Sequence, residues 1–224
     1  MARLDFPLVL AASAPLATLL VSHSRHAQTK FNHAQFIAAA ASIALLYALH
    51  AFIWYKPSKF KLACQNPPLK YIAKHPVEVF ASLEIIGKFW QLATILVFLS
   101  HEGIHQVMLA ATNAPTWCWV LCAAYIVIGQ GLNASIYMAI GNDGVYYGFK
   151  LGRTVPWCTS FPFNVGLRHP QYVGVVLTLL GLTLPVVNRD TIQNGFVPMM
   201  CAWASMYIIM SIMEQIADGN KKRE

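Results

Sequence analysis

Residues 36–55 read FIAAAASIALLYALHAFIWY, twenty residues without a lysine, arginine, aspartate or glutamate. A bilayer's hydrocarbon core is crossed by about 20 apolar helical residues, so this stretch sets the medium in which everything else is read. Working outward, five more stretches approach the same length: Phe6–Val21, Val77–Leu99, Trp117–Ile140, Gln171–Val187 and Phe196–Met213. With 57% of 224 residues apolar and only 11% charged, the chain is too greasy for a water-soluble domain of this size. The expected fold is all-α, a polytopic transmembrane helical bundle of about five to six spans. Phe6–Val21 is the weakest span, being short and carrying Pro7 and Pro15. It ends in VSHSRH without a small-x-small cleavage site, so it reads as a short span or membrane-dipping segment rather than a leader peptide. Residues 1–30 are accordingly set apart from a main unit of residues 31–224.

The formal net charge is +7, which in another chain would suggest nucleic acid. Here the basic residues fall between apolar runs, so no nucleic-acid partner is expected. If the spans alternate, twelve lysines and arginines fall on one side and three on the other, with Lys88 inside a span. The positive-inside bias then places both termini and the polar stretches 56–76 and 141–170 in the cytosol. The tail ends KKRE, similar to a dilysine retrieval signal, and this points to the endoplasmic reticulum membrane; a purely topology-setting tail is the other reading.

Five cysteines without a CxxC pair imply no disulfide framework. Residues 101–105 read HEGIH, which fits the H-E-x-x-H zinc pattern of a metalloprotease. A catalytic zinc needs three protein ligands, and the nearest further candidate, Asn142-Asp143-Gly144, is separated from it by the whole fourth span. A glycine in the middle of the motif also weakens the helix it requires. Interfacial or loop residues are therefore expected here, and no metal. Glu84 and Lys88, four apart within a span, read as a mutually neutralising pair, although ionisable residues in hydrocarbon also mark functional cavities.

The stretch from Asn142 to Gly174 differs in character. Glycines at 144, 148, 152 and 166 and prolines at 156, 162 and 170 shape it as a loop. Tyr146, Tyr147, Trp157, Phe161 and Phe163 are interleaved with them. It closes with RHPQYVG, which places Arg168, His169 and Tyr172 at the mouth of an apolar run. Such residues either anchor a helix at the interface or hold a polar ligand there.

GQGLNASIY at 129–137, YYGFKLGRTVPW at 146–157, RHPQYVG at 168–174 and a final span containing Glu214 recur in that order in the chain. This succession resembles the integral-membrane phospholipid N-methyltransferases, their plant-type members above all, and more distantly the isoprenylcysteine carboxyl methyltransferases. The likeness runs from about Ile43 to Glu214. It implies a cytosol-facing pocket for S-adenosylmethionine as methyl donor, with Gly129, Gln130, Gly131, Arg168, His169 and Glu214 around it. It also implies N-methylation of a membrane phospholipid of the phosphatidylethanolamine type, with phosphatidyl-N-methylethanolamine the favoured acceptor, toward phosphatidylcholine. The acidic pair of the family's last helix is Glu214 followed by Gln215 here, which leaves one negative charge in place of two. The donor's carboxylate and ammonium call for an arginine and an acid, signs that Arg168 and Glu214 supply; a structural ion pair between them is the competing reading. The two glycines likewise admit close backbone approach or simple helix packing. As catalytic candidates His169 has the reference pKa of a base near neutrality, Tyr172 lies three residues on, and Glu214 can act through water. Carboxyl methylation, zinc proteolysis and a non-catalytic scaffold remain as alternatives.

Overall fold

Each apolar run is helical, because in hydrocarbon a backbone must satisfy its own N–H and C=O groups. The computed structural model describes residues 5–24, 33–156 and 158–221. In chain order the α-helices are α1 (Asp5–Ser24), α2 (His33–Tyr55), α3 (Pro57–Cys64), α4 (Pro76–Glu102) and α5 (Ile104–Thr112), then α6 (Thr116–Val145), α7 (Gly148–Leu151), α8 (Pro170–Thr183), α9 (Arg189–Gln193) and α10 (Phe196–Lys221). Among the described residues, four helices can cross a membrane by length and composition: Ala34–Tyr55, Pro76–Ser100, Thr116–Leu151 and Phe196–Ile216. The other two apolar stretches form shorter helices, Pro7–His23 and Pro170–Val186. The chain is thus an all-α polytopic membrane protein. Large apolar side chains on its outer faces, such as Phe89, Trp90, Val127 and Met138, are exposed, as lipid contact requires and as water would penalise.

Six helix ends meet at one pole. The Asp5 carboxylate at the start of α1 accepts from the backbone N–H groups of Arg168 (2.9 and 3.1 Å) and His169 (3.1 Å) at the start of α8. His50 near the end of α2 lies 3.0 Å from Glu84 in the first half of α4, and Tyr55 Oη donates to the Met213 carbonyl in the last turns of α10. Tyr147, just past α6, joins them below. At the opposite pole α5 packs on α9 and on the 3-10 turn Leu184–Val186. Direction therefore alternates from one long element to the next.

Helices α6 and α8 make the most extensive packing contact, and its cause is local. A Cβ at Gly129 would lie 2.4 Å from the Gly174 carbonyl oxygen, and one at Gly174 would lie 2.5 Å from that of Gly129. Only two glycines facing each other let these backbones touch. The HEGIH stretch is divided: Gly103, at φ 127, ends α4 and opens α5. His101 and His105 thus do not follow one another on one continuous helix, while the side chains of His101 and Glu102 lie outside the described residues. Asn142 and Asp143 sit at the far end of the 30-residue α6, roughly 40 Å away along the helix. Arg3, Arg25, Lys30, Trp157 and the last three residues of KKRE also lie outside the described residues.

Candidate active site

The site begins where α6 breaks. Gly141 takes φ 65, ψ 178 inside the helix, and a turn later Tyr147 adopts φ 56, the one non-glycine positive φ among the described residues. That conformation is uncommon for a bulky residue. It carries the buried Tyr147 ring into the bundle, where it stacks on Phe80 and meets the edge of Trp54. The Tyr147 hydroxyl donates to Glu214 Oε1 at 2.7 Å. Tyr172 Oη donates to the same oxygen at 2.5 Å, and the two phenols are 3.0 Å apart. His169 Nδ1 lies 3.4 Å from the other oxygen, Oε2, and its ring stacks on Tyr172 at 5.6 Å and 10°. Glu214 is 5% exposed, so these contacts replace the water a carboxylate needs.

Arg168 and His169 owe their placement to the ends of two helices. Pro170 occupies the first turn of α8, where its fixed φ suits a helix start. Asp5 holds the preceding backbone N–H groups from the side of α1, as described above.

A cavity of about 390 Å³ opens here, with Trp54, Phe149, Arg168, His169, Tyr172 and Glu214 among its walls. Val155, Pro156 and Cys158, after α7, also line it. Its size falls in the range of small-molecule sites, about 300–1,000 Å³, and its wall combines apolar rings with a cation, Arg168, and an anion, Glu214. Trp54 Nε1 is buried without a hydrogen-bond partner among the described residues. An amphiphilic ligand bearing both charges and an apolar ring fits such a wall.

A second cavity of about 180 Å³ adjoins the first and shares Val145, Tyr147, Gln171 and Tyr172 with it. Its wall includes the Glu84–Lys88 pair, 3.2 Å apart, with His50 bound between Glu84 (3.0 Å) and Tyr147 Oη (3.2 Å). Polar contacts thus run unbroken from Lys88 to His169 through Glu84, His50, Tyr147 and Glu214.

Of the residues singled out in the sequence, Arg168, His169, Tyr172 and Glu214 converge on the first cavity. The 129–131 segment does not reach it. Gly129 is in the α6–α8 contact, Gln130 faces the second cavity and donates to Thr178 Oγ1 at 3.0 Å, and Gly131 is exposed, with nothing within 4 Å of a Cβ built there. The contributions of Tyr147, His50, Trp54 and Asp5 are not among those that the sequence singles out. Tyr147 was visible only as one aromatic among five, and Asp5 lies more than 160 residues from the backbone it holds. Among the described residues no three His, Cys, Asp or Glu side chains group as a metal site.

Residues 117–217 match the family model described as phospholipid methyltransferase. Over 188 residues the chain is 27% identical to a phosphatidyl-N-methylethanolamine N-methyltransferase of Arabidopsis thaliana, covering 83% of this chain and 96% of that protein. No solved structure matches.

Proposed function

We propose that the chain is an S-adenosylmethionine-dependent N-methyltransferase of phosphatidylethanolamine-type headgroups, phosphatidyl-N-methylethanolamine first among them, working toward phosphatidylcholine. The observation that carries this reading is the convergence of Arg168, His169, Tyr172 and Glu214, from two helices distant in sequence, on one cavity of about 390 Å³. The similarity to the Arabidopsis enzyme, extending over most of both chains, supplies the substrate class.

In this reading Arg168 holds the donor's carboxylate and Glu214 its ammonium. Tyr147 and Tyr172 fix the Glu214 carboxylate by occupying one oxygen, so the other side stays oriented toward His169. Trp54 offers a ring and a buried N–H. Gly129 serves α6–α8 packing, Gln130 the second cavity, and Gly131 faces outward, so none of the three is given a donor contact. When bound, the donor supplies an activated methyl group: the amine's lone pair forms the new N–C bond while the C–S bond breaks and its electrons return to sulfur. The protein's share is chiefly alignment. His169, beside the cavity and next to Glu214, takes the proton that an alkylammonium must lose before it can attack.

We also read residues 31–224 as the catalytic unit and residues 1–30 as a segment bracing it, as supported by Asp5. Counting the two shorter helices as crossings gives six spans. The site pole, rich in lysine and arginine at positions 56, 59, 61, 70, 74, 150, 153 and 168, then lies on the cytosolic side of the endoplasmic reticulum membrane. Isothermal calorimetry with S-adenosylhomocysteine tests the donor site. Saturable, roughly stoichiometric binding is expected; folded protein giving no saturable heat would overturn the reading.

A further inference from the structure

We propose that the second cavity is the acceptor subsite, binding the zwitterionic headgroup of a phospholipid with Lys88 on its phosphate and Glu84 with the surrounding tyrosines on its amine. The inference rests on the methyltransferase reading and adds to it where the lipid sits and which residues hold it.

A purely structural Glu84–Lys88 pair would leave neither a void nor an unmatched polar atom beside it. Here about 180 Å³ lies against the pair, and Asn133 Oδ1, in the same wall, is buried without a partner among the described residues. A buried ion pair is also often no more stabilising than apolar packing of the same volume, and within a membrane span such a pair marks a functional cavity by default.

The charges are ordered along the cavity. The Lys88 side chain is 49% exposed and that of Glu84 8%, so the cation stands at the lipid-facing rim and the anion lies behind it. A headgroup entering from the bilayer would meet the ammonium of Lys88 with its phosphate and carry its amine inward to the carboxylate. Tyr137, Tyr146 and Tyr207 line the same space, and their ring faces attract alkylammonium whatever its degree of methylation. Tyr147 and Tyr172 are among the four residues that the cavity shares with the first one. An amine held there adjoins the donor's site.

Binding of short-chain dihexanoyl phosphatidyl-N-methylethanolamine to detergent-solubilised full-length protein tests this without turnover. S-adenosylhomocysteine affinity is measured on the same samples, and water-soluble phosphoethanolamine serves as a second ligand. Lys88→Gln should weaken lipid binding by about tenfold or more, as loss of a charge-assisted contact does. It should leave S-adenosylhomocysteine affinity within about twofold, and Lys88→Arg should restore most of the lipid binding. Asn133→Phe, which puts a bulkier side chain into the cavity wall while leaving both members of the ion pair unchanged, should weaken lipid binding in the same way. Saturable lipid binding that phosphoethanolamine cannot displace identifies the bilayer lipid as the ligand; displacement at equal affinity makes the soluble headgroup the ligand of the same site. Unchanged lipid affinity in either variant, with S-adenosylhomocysteine still bound, overturns the proposal. Failure of the parent to bind S-adenosylhomocysteine while lipid binding still depends on Lys88 would instead overturn the donor reading and leave the lipid site standing.

Discussion

Glu214 uses both carboxylate oxygens within the protein, one toward two tyrosines and the other toward His169. A group so fixed presents its charge in one direction, which suits the recognition of a single ammonium. Arg168 lines the same cavity, and its proposed contact with the donor can be tested separately. Arg168→Ala should weaken S-adenosylhomocysteine binding by about 1.5–3 kcal/mol, roughly ten- to a hundredfold, read by calorimetry. His169→Ala should keep most of that affinity and mainly slow transfer. Between pH 6 and 9 the parent's rate should rise as base and amine lose protons, and the lower limb should flatten in His169→Ala. Loss of donor binding in His169→Ala with an unchanged pH profile would make His169 a binding residue. Arg168, His169 and Tyr172 were legible in the sequence because they sit within five residues and their side chains name their chemistry. Tyr147 was not: its role depends on a left-handed backbone turn that no composition announces. Nor was Asp5, whose partners are the N–H groups of residues 168 and 169, and backbone groups carry no sequence signature.

At the scale of elements, the four long helices were legible from length alone, since hydrocarbon thickness is a fixed ruler. The shorter α1 and α8 were legible as apolar runs. What they do was hidden, because α8 owes its position to a glycine contact with α6 and α1 owes its own partly to one carboxylate. The glycines of 129–131 show why a motif cannot be read residue by residue. Positions two apart on a helix face different ways, so Gly129 lies against α8 while Gly131 faces outward. Gly129→Ala should therefore cost about 1–3 kcal/mol of stability by overpacking, seen as a lower unfolding temperature in detergent. Gly131→Ala should change that temperature little. Equal effects would contradict the packing role of Gly129.

For the whole molecule, the alternation of helix ends gathers Asp5, His50, Glu84, Tyr147, His169 and Glu214 from six segments toward one pole. The charge bias had predicted a shared side for the loops around 56–76 and 141–170 without showing that a site lay there. Glycosylation acceptors inserted at residue 154 or after residue 224 should stay unmodified in microsomes, whereas one at residue 113 should be glycosylated; the reverse pattern would place the site in the lumen. Methyl transfer to a phospholipid amine is tested by incubating purified protein with methyl-labelled S-adenosylmethionine and separate phosphatidyl-N-methylethanolamine and prenylcysteine acceptors. Such transfer should place label in the N-methylated phospholipid, lose it in Glu214→Gln, and leave the prenylcysteine unlabelled. Label confined to the prenylcysteine, or absent from both acceptors with S-adenosylhomocysteine bound, would contradict it.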